Sequence, residues 1–166
     1  MPIHTHRGIY CICFNENGHL LVIEKNGGPY KNRLDLPGGT PEENETEYET
    51  VTREVLEETG YSIVSGVKLG ERRYELPWKY KQWNLSQHTA VYYLCTIEPD
   101  SKIPIADIPL QDSIGLQWVD PHRLKEEWCS PLVWEAVHYV KSKSLPARRK
   151  TYHSWEVLKQ TLYPRI

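Results

Sequence analysis

The chain has 166 residues, 39% of them hydrophobic and 25% charged, with a net charge of −2. A chain of this size forms one domain whose core needs no disulfide or metal staples, and its charged fraction is not that of a disordered polymer. The near-neutral balance argues against a binder of duplex nucleic acid, and no apolar run approaches the roughly 18–20 residues of a membrane span.

The first residues, among them His4, His6 and Arg7, lack the apolar stretch of a secretory signal. The four cysteines are no disulfide framework, because Cys11 and Cys13 stand two apart on one strand, where a bridge is geometrically poor. The expected compartment is a reducing cytoplasm.

In chain order, residues 6–14 predict a strand. Asn15-Glu16-Asn17-Gly18 is a turn signal, and 19–25 predicts the returning strand of an antiparallel hairpin. Asn26-Gly27-Gly28-Pro29 is a loop, and 33–36 a short extended piece. A helix is expected at 47–59. Thr46 is its N-cap and Glu49 completes a capping box, worth about 0.5–2 kcal/mol. Gly60 suits the left-handed exit, and Tyr48, Val51 and Val55 form the stripe expected to be buried.

Residues 61–75 and 87–97 predict strands around the aromatic and basic stretch Trp78 to Trp83. A loop with three prolines follows over 99–109, then a strand at 114–119 and helices at 121–128 and 131–143. The segment 145–166 ends the chain, with a short helix expected at 154–162. Residues 1–144 are read as the domain, and 145–166 as a tail that packs on it or on a second copy in a homodimer. Strands interleaved with helices, with local antiparallel pairing, predict a mixed α/β sandwich rather than a doubly wound parallel sheet.

Charge is concentrated in one window. Residues 42–58 carry eight acids and a single base, Arg53. Solvated acidic helix faces are common. Here, however, Glu54, Glu57 and Glu58 stand at i, i+3 and i+4, within an arc of roughly 100°. Exposed like charges at that spacing cost only about 0.2–0.5 kcal/mol a pair. In a cleft, two charges about 6 Å apart repel by roughly 3 kcal/mol at an effective dielectric near 20. A divalent cation reverses that sign. Oxygen ligands suit Mg2+, and Mn2+ is compatible; without Cys or His in the cluster, zinc is not expected.

The segment resembles the Nudix box, G-x5-E-x7-R-E-U-x-E-E-x-G-U, with U aliphatic. Gly39 is followed by five residues, Glu45, seven residues, then Arg53-Glu54-Val55-Leu56-Glu57-Glu58-Thr59-Gly60-Tyr61. Only Tyr61 departs, at a packing position. Leu36-Pro37-Gly38 before it is also typical of the family. The match covers 23 of 166 residues and has no gap.

The resemblance implies a Nudix-type α/β/α sandwich with a mixed, largely antiparallel sheet. It implies a divalent-metal-dependent hydrolase cleaving a diphosphate linkage in a nucleoside diphosphate joined to another moiety. Gly38, through its carbonyl, and Glu54, Glu57 and Glu58 would bind the metal. Glu45 would assist through a second metal, a water or an ion pair, and Arg53 would orient the glutamates. The general base would be Glu54 or Glu57, or an acid outside the box: Glu98, Asp100, Asp107 or Asp112.

Substrate contacts are less constrained. Lys31 and Arg33, just before the box, are candidates for phosphate. Trp78, Tyr80 and Trp83 are candidates for stacking a base and Lys79, Lys81, Arg72 and Arg73 for meeting phosphates, although aromatics on strands more often pack and alternating lysines are more often solvated. The histidines show no ligand spacing beyond His4-x-His6 and are expected to be structural. Tyr152 and Trp155 of the tail would cover an edge or join a dimer interface. Two other functions share the scaffold. One is a non-catalytic nucleotide-binding regulator, which often lacks box carboxylates. The other is an isoprenoid-diphosphate isomerase, which needs a cysteine such as Cys95 or Cys129 facing an apolar pocket.

Overall fold

The computed structural model describes residues 2–98, 113–145 and 149–164, with the backbone alone for 113–117. In chain order the elements are β1 (Ile3–Ile12), β2 (Leu20–Lys25), β3 (Leu34–Asp35), β4 (Gly38–Gly39), α1 (Glu47–Thr59), β5 (Ser62–Tyr80), β6 (Trp83–Glu98), β7 (Ser113–Val119), α2 (Pro131–Ser142) and β8 (Arg149–Thr151). Among the described residues no helix is long and apolar enough to cross a membrane.

Two sheets form, with orders β4-β1-β6-β5-β8 and β3-β2-β7. Pairing is largely antiparallel, but β1 runs parallel to β6 and β8 parallel to β5. Period-2 alternation along β1 divides the core. Ile9, Cys11 and Cys13 pack toward α1 with Leu21, Val51, Val55, Val91 and Cys95. Tyr10 and Ile12 point the other way, into a second cluster with Leu20, Val22, Leu132, Val133 and Ala136 of the α2 side. A helix on each face of a mixed sheet is the expected α/β/α sandwich.

The predicted first hairpin is half right. Asn15 Oδ1 accepts from the backbone N–H groups of Asn17 and His19, and the Asn15 and Leu21 amides bond across the turn. Beyond Phe14–Leu20 the strands part, β1 into one sheet and β2 into the other. β1 takes ten partners in β6, more than the six residues of β2 offer, and β2 pairs instead with β3 and β7. The longest hairpin is β5–β6. The stretch Trp78 to Trp83 is its tip, where Tyr80 pairs with Trp83.

Residues 121–128 form two 3₁₀ turns, Pro121–Arg123 and Glu126–Trp128, instead of a helix. Eight residues are too few to repay helix nucleation. The tail has no helix at 154–162; its side chains are anchored one at a time. Trp155 Nε1 donates to Pro29 O at 2.7 Å, Asn32 Nδ2 to Leu158 O at 2.8 Å, and the Tyr163 hydroxyl to Glu24 at 2.8 Å. Strand β8, absent from the sequence reading, adds to β5, and Arg149 pairs there with Glu75. The loop at 99–109, with Asp100 and Asp107, lies outside the described residues, as does Asp112 beside it.

Candidate active site

Helix α1 is built as its sequence dictates. Thr46 accepts from the Glu49 amide, Glu49 accepts from the Thr46 amide, and Gly60 ends the helix at φ 79°. Val51 and Val55 are buried, but Tyr48 is 38% exposed. It sits at the outer margin of the stripe, against Tyr93. Tyr61, the departure from the box pattern, accepts from Trp118 Nε1 at 3.1 Å, so its hydroxyl has a structural partner.

The acids of α1 divide between its sides. Glu47 faces away from the box and takes Arg7, Lys68 and Tyr93. Glu54, Glu57 and Glu58 line a polar cavity of about 410 Å³ with Gly38, Gly39, Thr40, Arg53 and Lys25.

Arg53 organises that wall. Its Nη1 donates to Glu54 at 2.9 Å and to Glu57 at 3.1 Å. Its Nε and Nη2 hold Glu45 in a two-pronged bridge at 2.7 and 3.0 Å. Glu45 also accepts from the Glu42 amide and the Thr50 hydroxyl. With so many donors, chiefly Arg53, its carboxyl is held down at about 2. Glu45 is therefore an ion-pair partner of Arg53, one of the roles that the resemblance had left open.

Glu58 is buried and accepts from the Gly38 amide at 2.8 Å. Burial pushes its carboxyl up to about 8, and Glu54 is raised by burial as well. Two glycines permit this closeness. Gly38 has φ +153°, and a Cβ there would lie 2.2 Å from Ile9 O; at Gly39 it would lie 2.7 Å from the Glu54 carboxylate.

These carboxylates fit a hard divalent cation by chemistry: all their donors are oxygen, they wall a polar cavity, and burial penalises the charge of Glu54 and Glu58. Among the described residues no three acids already converge as a ligand set, because Arg53 supplies the positive charge between Glu54 and Glu57.

The raised Glu58 carboxyl has a measurable consequence. Its folded value lies above its unfolded one, so its contribution to stability is complete below pH about 4.5 and disappears as pH rises through about 8. Glu58→Gln stays neutral at every pH. In metal-free protein, denaturant titrations of the two should show the variant gaining on the wild type between pH 5 and 8. A constant difference would mean that Glu58 ionises without cost.

A second cavity of about 250 Å³ adjoins the first and shares His6, Tyr10 and Lys25 with it. Its wall includes His4, Gly28, Tyr30, Asp35, Trp78 and His88. His88 is buried between two hydroxyls, with Nε2 2.8 Å from Tyr10 and Nδ1 2.8 Å from Tyr30. His6 stacks on it with ring centroids 4.8 Å apart. Trp78 stacks in parallel on Tyr80, at 5.0 Å, and meets His4 edge-on.

Sequence reasoning missed Lys25, Tyr10, Tyr30 and the paired histidines. Lys25 offered one faint signal, a base closing an apolar strand; Tyr10, His6 and His88 lie in predicted strands, and Tyr30 follows a loop. Trp78 was found and does line the cavity, whereas Lys79 and Tyr80 are exposed at the hairpin tip.

Three candidate phosphate contacts stand elsewhere. Arg33 is buried, and its guanidinium donates to the carbonyls of Glu127, Cys129 and Glu156 beneath the Trp155 ring. It ties the tail to the domain and lines neither cavity. Arg72 is taken by buried Glu135 of α2. Lys31 is exposed and lines neither cavity. Glu98 is exposed at the end of β6 and lines neither cavity. All four cysteines are free and buried. Cys95 packs under α1 and the Cys129 thiol is pushed up to about 12 by burial, so neither offers an isomerase acid to these cavities.

A family model described as NUDIX domain matches residues 4–140. The chain is 30% identical over 118 residues to the "Putative 8-oxo-dGTP diphosphatase" of Bacillus subtilis (strain 168), covering 71% of this chain and 68% of that protein. Among solved structures it is similar to a MutT protein from Methanosarcina mazei Go1, with TM-score 0.64 and 22% identity over 86% of this chain and 97% of the other. It is also similar to a MutT NUDIX hydrolase from Burkholderia pseudomallei, with TM-score 0.64 and 19% identity over 82% and 98% of the two chains. The structural likenesses concern the fold.

Proposed function

Because the chain belongs to the NUDIX family, we propose that it is a divalent-cation-dependent pyrophosphohydrolase acting on a nucleoside diphosphate joined to another group. The observation that carries this is the pair of adjoining cavities, one acidic and one aromatic, sharing His6, Tyr10 and Lys25. A ligand with a charged diphosphate at one end and a planar group at the other matches that division. The name of the Bacillus subtilis relative favours a nucleoside triphosphate.

Glu54, Glu57, Glu58 and the Gly38 carbonyl would hold Mg2+, or Mn2+ in its place. When bound, the cation lowers repulsion at the phosphate, acidifies a water and stabilises the leaving group. The chain's own residues do the rest. Arg53 fixes the Glu54 and Glu57 carboxylates, and Glu45 fixes Arg53. Glu57 keeps one oxygen free of bonds to described residues, and its side chain is 30% exposed, so it can take the proton of an attacking water. Lys25, at the junction of the cavities, meets phosphate charge. Lys31 stands outside as a contact for the far end of the ligand.

The test is a panel of nucleoside triphosphates including 8-oxo-dGTP, with dinucleotides, ADP-ribose and nucleotide sugars. Products are resolved by chromatography in Mg2+ or Mn2+. Monophosphate with pyrophosphate, or two monophosphates, is the expected outcome. Binding with no product would make the chain a nucleotide-binding module instead. Chelator is expected to abolish turnover while circular dichroism stays unchanged, since both core clusters close without the ion. Unfolding on chelation would make the metal structural.

A further inference from the structure

The trio Tyr10–His88–Tyr30 sits in the wall of the aromatic cavity, and no step above uses it as a unit. Both ring nitrogens of His88 are engaged, each by a hydroxyl. The imidazole is buried, and burial, with His6, Lys25 and His4 nearby, disfavours a second proton on it. A neutral imidazole has one N–H and one bare nitrogen. One tyrosine must therefore accept from the ring, which leaves its own O–H to donate elsewhere. The other must donate into the ring, which leaves only lone pairs. Whichever way the ring is protonated, the two hydroxyls carry opposite polarity.

We propose that His88 couples Tyr10 and Tyr30 into a recognition pair that offers the bound base one hydrogen-bond donor and one acceptor, and exchanges the two to suit the base. It holds only if the cavity takes a nucleotide, as proposed above. The exchange conserves protons. One passes from Nε2 to the Tyr10 oxygen while Tyr10 releases its own to a water or the base. One arrives from a water or the base at the Tyr30 oxygen while Tyr30 passes its own to Nδ1. The trio ends with the same number of protons, and the donor has moved from Tyr10 to Tyr30. Bases that differ in where they carry N–H and C=O should select different ring tautomers. A trio that serves only to pack the core keeps one tautomer whatever is bound.

The test is nitrogen NMR of 15N-histidine-labelled protein in Mg2+, titrated separately with GMP, AMP and UMP. The ratio of Nδ1–H to Nε2–H His88 is expected to differ by about threefold or more between at least two bound nucleotides, the factor that the net worth of one hydrogen bond gives. In Tyr30→Phe, which keeps the ring and its packing, the dependence of the ratio on the nucleotide should weaken, because Tyr10 alone then links the ring to the base. For the triphosphate hydrolysed fastest in the panel, that variant should raise KM by about tenfold and leave kcat within about twofold, because only a ligand contact is lost. The same ratio with every bound nucleotide overturns the proposal and leaves the hydrolase standing. An unchanged KM in Tyr30→Phe also overturns it. Failure of all three nucleotides to bind overturns both.

Discussion

Glu57→Gln is expected to lower turnover at least about a thousandfold, or about 4 kcal/mol of barrier, with the fold intact. The amide is the same size, and its oxygen can keep the bond from Arg53 Nη1, now 3.1 Å. The position faces the acidic cavity, away from Val51 and Val55, so core packing is undisturbed. What disappears is the negative charge that would hold a cation and the lone pair that would take a proton from water. Glu47→Gln is the matched control. It removes a carboxylate from the same helix, but one bound to Arg7, Lys68 and Tyr93 on the other side. Its turnover should stay within about twofold of wild type, as for a surface change worth under about 0.5 kcal/mol. Steady-state rates with circular dichroism decide it. A folded Glu57→Gln enzyme of near-normal rate would remove Glu57 from the mechanism.

Gly38→Ala should have the largest effect on stability, a loss of about 3 kcal/mol or more. The added Cβ meets backbone on both sides, Ile9 O at 2.2 Å and Tyr10 Cα at 2.7 Å. Neither can swing away, because Ile9 and Tyr10 are paired with Gly39 and Gly38 in the sheet. The φ of +153° adds strain that alanine cannot relieve. For a chain this long the midpoint should fall by about 6–12 °C, with activity lost as the Gly38–Glu58 bond is displaced. Gly27→Ala provides the contrast. Nothing lies within 4 Å of its added Cβ, and it should cost almost nothing. Urea unfolding of the two variants separates the cases, and a neutral Gly38→Ala would mean that β1 and β4 can part freely.

Some of this was open to inspection in one dimension because the interactions are local. The cap at Thr46, the stop at Gly60 and the arc of Glu54, Glu57 and Glu58 depend on neighbours within a few positions. A mixed α/β sandwich followed from the order of strands and helices, and its α/β/α layering from the resemblance to the Nudix family. The expected first hairpin failed where local pairing met a longer-range competitor: ten residues of β1 found ten parallel partners in β6. The misplaced helix at 154–162 failed in the same way, since Trp155, Leu158 and Tyr163 answer to residues more than a hundred positions away.

The sequence by itself determined that an acidic helix follows a glycine turn and brings Glu54, Glu57 and Glu58 to one side of it. Only the tertiary structure decided which cations face it. It placed Lys25 at the junction of two cavities and spent Arg33 on the carbonyls of the tail. It also set His88 between hydroxyls 78 and 58 residues away. A helix face is a property of bonds spaced three and four residues apart, which one segment contains. A cavity wall is a property of strands brought together by burial of the core, and no single segment carries it.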